Sequence, residues 1–315
     1  MKNQVIMILL LILFLAGCQW FPGYEKDADV GLLVETSIDD QSWGQQGYQG
    51  LKAIQEEYGV DIYYKEEIRS YQQSAEAVEE LVQQGAEVIF GHSNIYGNYF
   101  RELHQAYPDI DFIYFNGQFA AENVTSLNFE ARAMGFFGGM VAGEMTKADQ
   151  VGLIGAFEWQ PEVEGFYEGV KYQNPEADVD VALLNSWENT ELALMQYERM
   201  KDKGADVFYP AGDLFAVPII EQAREDGHLA VGYLEDQSSI AAQTVLTSTV
   251  QNVDEVYKLA MERYINGDLP GEALTFDFSE GAITMGEFSP VVPEEFQENL
   301  EAEVENYKET GTLPQ

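Results

Sequence analysis

One cysteine, Cys18, serves a chain of 315 residues, so no disulfide can close within it and no cysteine-based metal site can be built. Basic residues are scarce as well, 16 Lys and Arg against 55 Asp and Glu, which leaves a formal net charge of -39. Such a surface repels nucleic-acid phosphates, and nucleic acid is therefore not an expected partner. The acids are spread along the chain rather than gathered in a tail, which fits a solvated exterior suited to salty or alkaline surroundings. His92, His104 and His228 are the only histidines and follow no ligand spacing such as HExxH. The Walker pattern is absent, QQGYQG has the wrong glycine spacing for a dinucleotide fingerprint, and no GxSxG elbow occurs. Asp39 and Asp40, as sequence neighbours, point apart and make no acid and base pair. Neither an enzyme, nor a cofactor, nor a bound metal is expected.

Long apolar runs are missing too, except one from Val5 to Ala16. It is too short for a comfortable membrane span and reads as a secretory signal covering residues 1–17. LAGC, Leu15 to Cys18, resembles a bacterial lipobox, in which cleavage precedes the cysteine and its thiol carries lipid. Residues 18–28, which run into PGYEKDAD, then form a short polar leash. The expected location is the outer face of the cell membrane, with the folded part held there by Cys18.

What the chain does have is apolar substance. Hydrophobic residues make up 46% and aromatics 13%, enough for a sizeable core in one large or two smaller domains. From Asp29 onward apolar runs alternate with amphipathic stretches. Residues 30–35, 61–66, 87–92 and 111–116 read as strands, and the helical stretches between them end at Gly59, Gly85 and Pro108. The rhythm restarts with a helix at 131–146 and strands at 151–157, 180–185, 206–212, 229–234 and 244–250. A helix over about 253–266, a less regular tail and a final acidic helix close the chain. Continuous apolar strands alternating with helices imply parallel sheets covered on both faces. Two such doubly wound units make two α/β lobes with a cleft between them, and ligands sit at the carboxyl ends of such strands.

The strand ends collect one kind of residue. The first is followed by Asp39, Asp40, Ser42 and Trp43, the third by Gly91, His92, Ser93 and Asn94, and the fourth by Asn116. In the second unit the ends carry Trp159, then Tyr209, Gly212 and Asp213, then Tyr233, Glu235 and Asp236. Taken singly, each acid or amide is as well explained by a turn or helix cap, and Trp43 by the core. Together, indoles for stacking and acids or amides for hydrogen bonding predict a cleft for an uncharged polar ligand with a flat ring. None of these strand ends holds an arginine or lysine, which disfavours an anionic ligand.

DDQSWGQQGYQGL resembles the DxSFNxxxxxGL opening of the basic membrane protein family of lipoproteins, which includes purine nucleoside receptors that feed transport systems. AMGFFGGMVAGEMTKADQVGLIGAF, PEVEGFYEGVKY, ADVFYPAGD and VGYLEDQSSIAAQTVLTSTVQNVDE follow the rest of that pattern in order. The resemblance implies the type I periplasmic binding protein fold, with two α/β lobes joined by crossovers near residues 128, 248 and 278. Lobe 1 would then comprise residues 29–128 with about 249–278, and lobe 2 residues 129–248 with about 279–315. It further implies a small-molecule ligand, an ABC-type permease as partner, Trp43 as the platform under a base and Asp40 as its polar neighbour. Where nucleoside receptors of the family carry two aspartates and a lysine, this chain has Asn116, Leu234 and Gln251, which removes ribose acceptors. WQPEVEGF and VLTSTVQNVD are similar to a competence-regulating member of the same family, so a regulatory lipoprotein that does not itself touch DNA is the second expectation.

Overall fold

The computed structural model describes residues 28–39 and 43–315. The signal, the lipobox Cys18, and the site candidates Asp40 and Ser42 lie outside the described residues.

Each lobe is built on a six-stranded sheet. Lobe 1 runs β1 (Asp29–Leu33), α1 (Trp43–Tyr58), β2 (Ile62–Lys65), α2 (Tyr71–Gln84), β3 (Ala86–Gly91), α3 (Ile95–Leu103), β4 (Asp111–Phe115) and β5 (Val124–Phe129). Lobe 2 continues with α4 (Ala131–Met145), β6 (Gln150–Gly155), α5 (Pro161–Gln173), β7 (Asp178–Leu183), α6 (Thr190–Asp202), β8 (Val207–Ala211), α7 (Ala216–Asp226), β9 (Leu229–Leu234) and β10 (Val245–Gln251). The chain then returns to lobe 1 for α8 (Val253–Asn266) and β11 (Ala273–Phe276). It ends with β12 (Ile283–Met285), back in the second sheet, and α9 (Glu294–Thr310).

The sheet orders are β11-β5-β4-β3-β1-β2 and β12-β10-β9-β8-β6-β7, which correspond strand for strand. The one difference in direction is at the edge, where β11 is parallel to β5 and β12 is antiparallel to β10. The chain passes between sheets at residue 130, at residue 252 and over residues 277–282, the three-crossover type I arrangement. Three strands escape the apolar-run reading. β5 is VTSLNF, with polar residues interleaved, while β11 and β12 are four and three residues long. Strands that short carry too little periodicity to be legible.

Local chemistry fixes the helix ends. Ser70 caps α2 by accepting from the Gln73 N–H, and Gly85 ends it at φ 109°. The most consequential packing is between α4 and α5, the pair that carries the start of α5 to the cleft. Backbone meets backbone there: a Cβ on Gly139 would lie 2.2 Å from the Phe166 carbonyl oxygen, and one on Gly169 1.9 Å from that of Phe136. No other residue type permits that approach.

Candidate functional site

A cavity of about 400 Å³ lies between the lobes, at the carboxyl ends of both sheets. Lobe 1 contributes Trp43 from the start of α1, His92 and Ser93 from the end of β3, and Asn116 from the end of β4. Lobe 2 contributes Trp159, Asp213 and Tyr233 from the loops and ends of β6, β8 and β9. These seven sequence candidates are brought to one cavity because parallel strands all present their carboxyl ends to the same edge.

Four others are not at the cavity. Gly91 packs under Tyr96, where an added Cβ would lie 2.5 Å from the ring. Tyr209 points into the core, stacked on Phe166 at 4.3 Å with its hydroxyl 3.0 Å from Thr249 Oγ1. Gly212 makes room for the Phe215 ring. Asp236 is spent on local backbone, accepting from the N–H groups of Ser238 and Glu287 at 3.0 Å each. Gly91, Gly212 and Asp236 are thus turn and packing residues, and Tyr209 is core. The side-chain alternation of a strand, which decides inward from outward, cannot be assigned at its last residue from sequence alone.

On the lobe 1 wall the Trp43 indole is stacked on the His92 imidazole, with centroids 4.2 Å apart and planes 18° apart. Its Nε1 donates to the His92 carbonyl oxygen at 3.1 Å. His92 is 1% exposed, its Nδ1 lies 3.1 Å from the Tyr257 hydroxyl, and its Nε2 is buried. Burial drives its pKa down to about 3, so the ring is neutral. Asn116 and Leu234 occupy corresponding places, after β4 and at the end of β9, and both hold positive φ, 59° and 73°. For a leucine that is a strained backbone, and it sits on the cavity wall.

The lobe 2 wall is richer than the sequence indicated. Gln160, Glu162, Trp187 and Glu188 also line the cavity. Glu162 is 4% exposed; its Oε1 accepts from Gln160 Nε2 at 2.8 Å and from the Tyr233 hydroxyl at 2.9 Å. Burial raises its pKa, only partly opposed by these hydrogen bonds. Trp159, 58% exposed, stacks on Phe157 at 5.3 Å and meets Trp187 edge-on at 5.8 Å. Trp187 and Glu188 were missed, although SWEN follows a strand as the other site segments do, which is the signal that could have found them. The burial of Glu162 depends on the α4 to α5 contact and was not legible.

Among the described residues two hydrogen bonds span the cleft. The Trp43 N–H donates to Asp213 Oδ2 at 3.4 Å, and Gln46 Nε2 donates to Glu235 Oε1 at 2.9 Å. Burial, together with Glu188 and Glu235 nearby, lifts Asp213 to about 6 despite the bond from Trp43. Among the described residues no group of three or more His, Asp or Glu gathers as a metal would require.

An alternating α/β chain with a ligand-sized interlobe cleft is how solute receptors are built, and the comparisons with known proteins agree. The chain is 42% identical over 314 residues, covering 100% of itself and 99% of its relative, to the transcriptional activator protein med of Bacillus subtilis (strain 168). A crystal structure of a transcriptional activator of the comK gene from Bacillus halodurans superposes with a TM-score of 0.87 at 42% identity, covering 91% of this chain and 100% of the other. An ABC transporter solute-binding protein from Conexibacter woesei shares the fold with a TM-score of 0.75 at 17% identity, covering 91% and 98%. The family model of PnrA-like ABC transporter substrate-binding proteins matches residues 28–315, and the chain belongs to that Bmp family.

Proposed function

We propose that this protein is a lipid-anchored receptor on the outer face of the cell membrane that closes its two lobes on a small, flat-ringed, nucleoside-like ligand and presents it to an ABC-type permease. The observation that carries this reading is the cleft itself, a 400 Å³ cavity with indoles on both walls, bridged by the Trp43 to Asp213 and Gln46 to Glu235 hydrogen bonds. Hinged closure about three crossovers is the ordinary motion of such lobes. Because His92 covers one face of Trp43, a ligand ring stacked there uses the opposite face. Cys18, directly after the apolar run, is the lipid site in this reading. Calorimetric titration against a panel of nucleosides and free bases tests it: saturable binding supports the receptor, and silence from the whole panel removes it. Membrane fractionation of Cys18→Ala tests the anchor, which requires the variant to leave the membrane fraction.

The 42% identity over the whole length to the med protein favours a second reading, in which the same clamp reports its ligand to a regulatory partner instead of delivering it. Its effect on competence would be indirect, since the net charge of -39 opposes contact with DNA. Loss of labelled-ligand uptake on deletion of the gene favours the transport reading. Unchanged uptake with reduced competence-gene expression favours the regulatory one.

A further inference from the structure

Among the described residues four carboxyl groups line the cleft, Glu35 from lobe 1 and Glu162, Glu188 and Asp213 from lobe 2, and no lysine or arginine does. The acidic surface of the protein accounts for an exposed residue such as Glu188. It does not account for Glu162, which is almost wholly buried, or for Asp213, which burial keeps partly protonated near neutral pH. A carboxyl taken out of water without a counter-charge is costly, and such costs persist where a site uses them.

Both walls add further features. On lobe 1, His92 lines the cavity and is 1% exposed. Opposite it, Trp159 and Trp187 hold their indoles in an edge-on pair beside Glu188, and Trp159 stays 58% exposed despite its size. Indole faces next to carboxylates attract organic cations. Among the described residues the carboxyls do not converge as a metal ion would need, which fits a charge spread over a ring.

We propose that the cleft selects a ring ligand carrying a positive charge, an N-alkylated or protonated heteroaromatic cation of nucleoside size, with the charge facing Glu162, Glu188 and Asp213. This rests on the reading of the cleft as a ligand clamp and replaces the uncharged ligand expected from the sequence by a cationic one. Tyr233 ties the acids together, since its hydroxyl donates to Glu162 and it lies within the electrostatic reach of Asp213. When the cation enters, Asp213 ionises fully and its proton passes to the buffer.

The test is a titration of the protein with adenosine and with adenosine methylated on its ring so that it is cationic at neutral pH. The expected result is at least about tenfold tighter binding of the cation, weakened by added salt and accompanied by proton release seen as buffer-dependent heat. Glu162→Gln should shrink that preference to about twofold. Exposed Glu188→Gln, which carries little risk to folding, should reduce it as well. Equal or tighter binding of neutral adenosine overturns the charge proposal and leaves the clamp standing. No binding of either overturns the proposal together with the nucleoside-like reading beneath it.

Discussion

The Trp43 backbone N–H donates to the Asp213 carboxylate across the cleft at 3.4 Å, joining residues 170 apart in sequence. The contact puts a titratable group into the closure of the lobes. Burial raises Asp213 from the ordinary 3.8 to about 6, so the folded, closed protein holds a proton there that the unfolded chain has already released. Stability from this group is therefore present at low pH and falls as pH rises from about 4 through about 6. Asp213→Asn keeps an acceptor for Trp43 without the charge. Above about pH 7 the variant should exceed the wild type by about 1 to 2 kcal/mol in denaturant unfolding, and the two should converge near pH 4. A constant difference across that range would exclude the assignment.

Removing the Trp43 side chain should cost ligand affinity about tenfold, since an aromatic stack contributes about 0.5 to 1.5 kcal/mol beyond its area. It should also uncover His92, whose ring it stacks on. The imidazole pKa, held at about 3 by burial, should move up toward the ordinary range, which proton-detected titration of the ring would show. An unchanged affinity would take Trp43 out of the site.

Tyr209 offers a contrast, because it is rich in aromatic surface yet belongs to the core. Tyr209→Phe removes the hydroxyl beside Thr249 and should cost about 1 kcal/mol of stability with no change in ligand affinity. A loss of binding at unchanged stability would return Tyr209 to the cleft.

The close approach of α4 and α5 predicts that Gly169→Ala destabilises by about 2 kcal/mol or more, as the new methyl meets the Phe136 carbonyl oxygen. Because the first turn of α5 carries Glu162, ligand binding should weaken along with stability. Thermal melts and titration of the same sample check both. A neutral result would mean that the two helices separate at little cost.

The repeating apolar runs were enough for two α/β lobes, because a parallel strand buried on both faces needs a continuous apolar run, and such a run is visible without coordinates. The same logic placed Trp43, His92, Asn116, Trp159, Asp213 and Tyr233 near strand ends, where topology alone brings them to one edge. It could not tell Asp213, which faces the cleft, from Asp236, which caps its own loop, since both are acids one turn past a strand. The gathering of Glu162 with Glu188 and Asp213 was likewise invisible. Glu162 reaches the cavity because glycine-to-backbone contacts bring α5 against α4, and its burial is a property of that packing. Chain order determined which residues stand at the strand ends. The packing of one lobe's helices and the closure of the other lobe upon them decided which of those residues lose water, and hence which carry the charge pattern of the site.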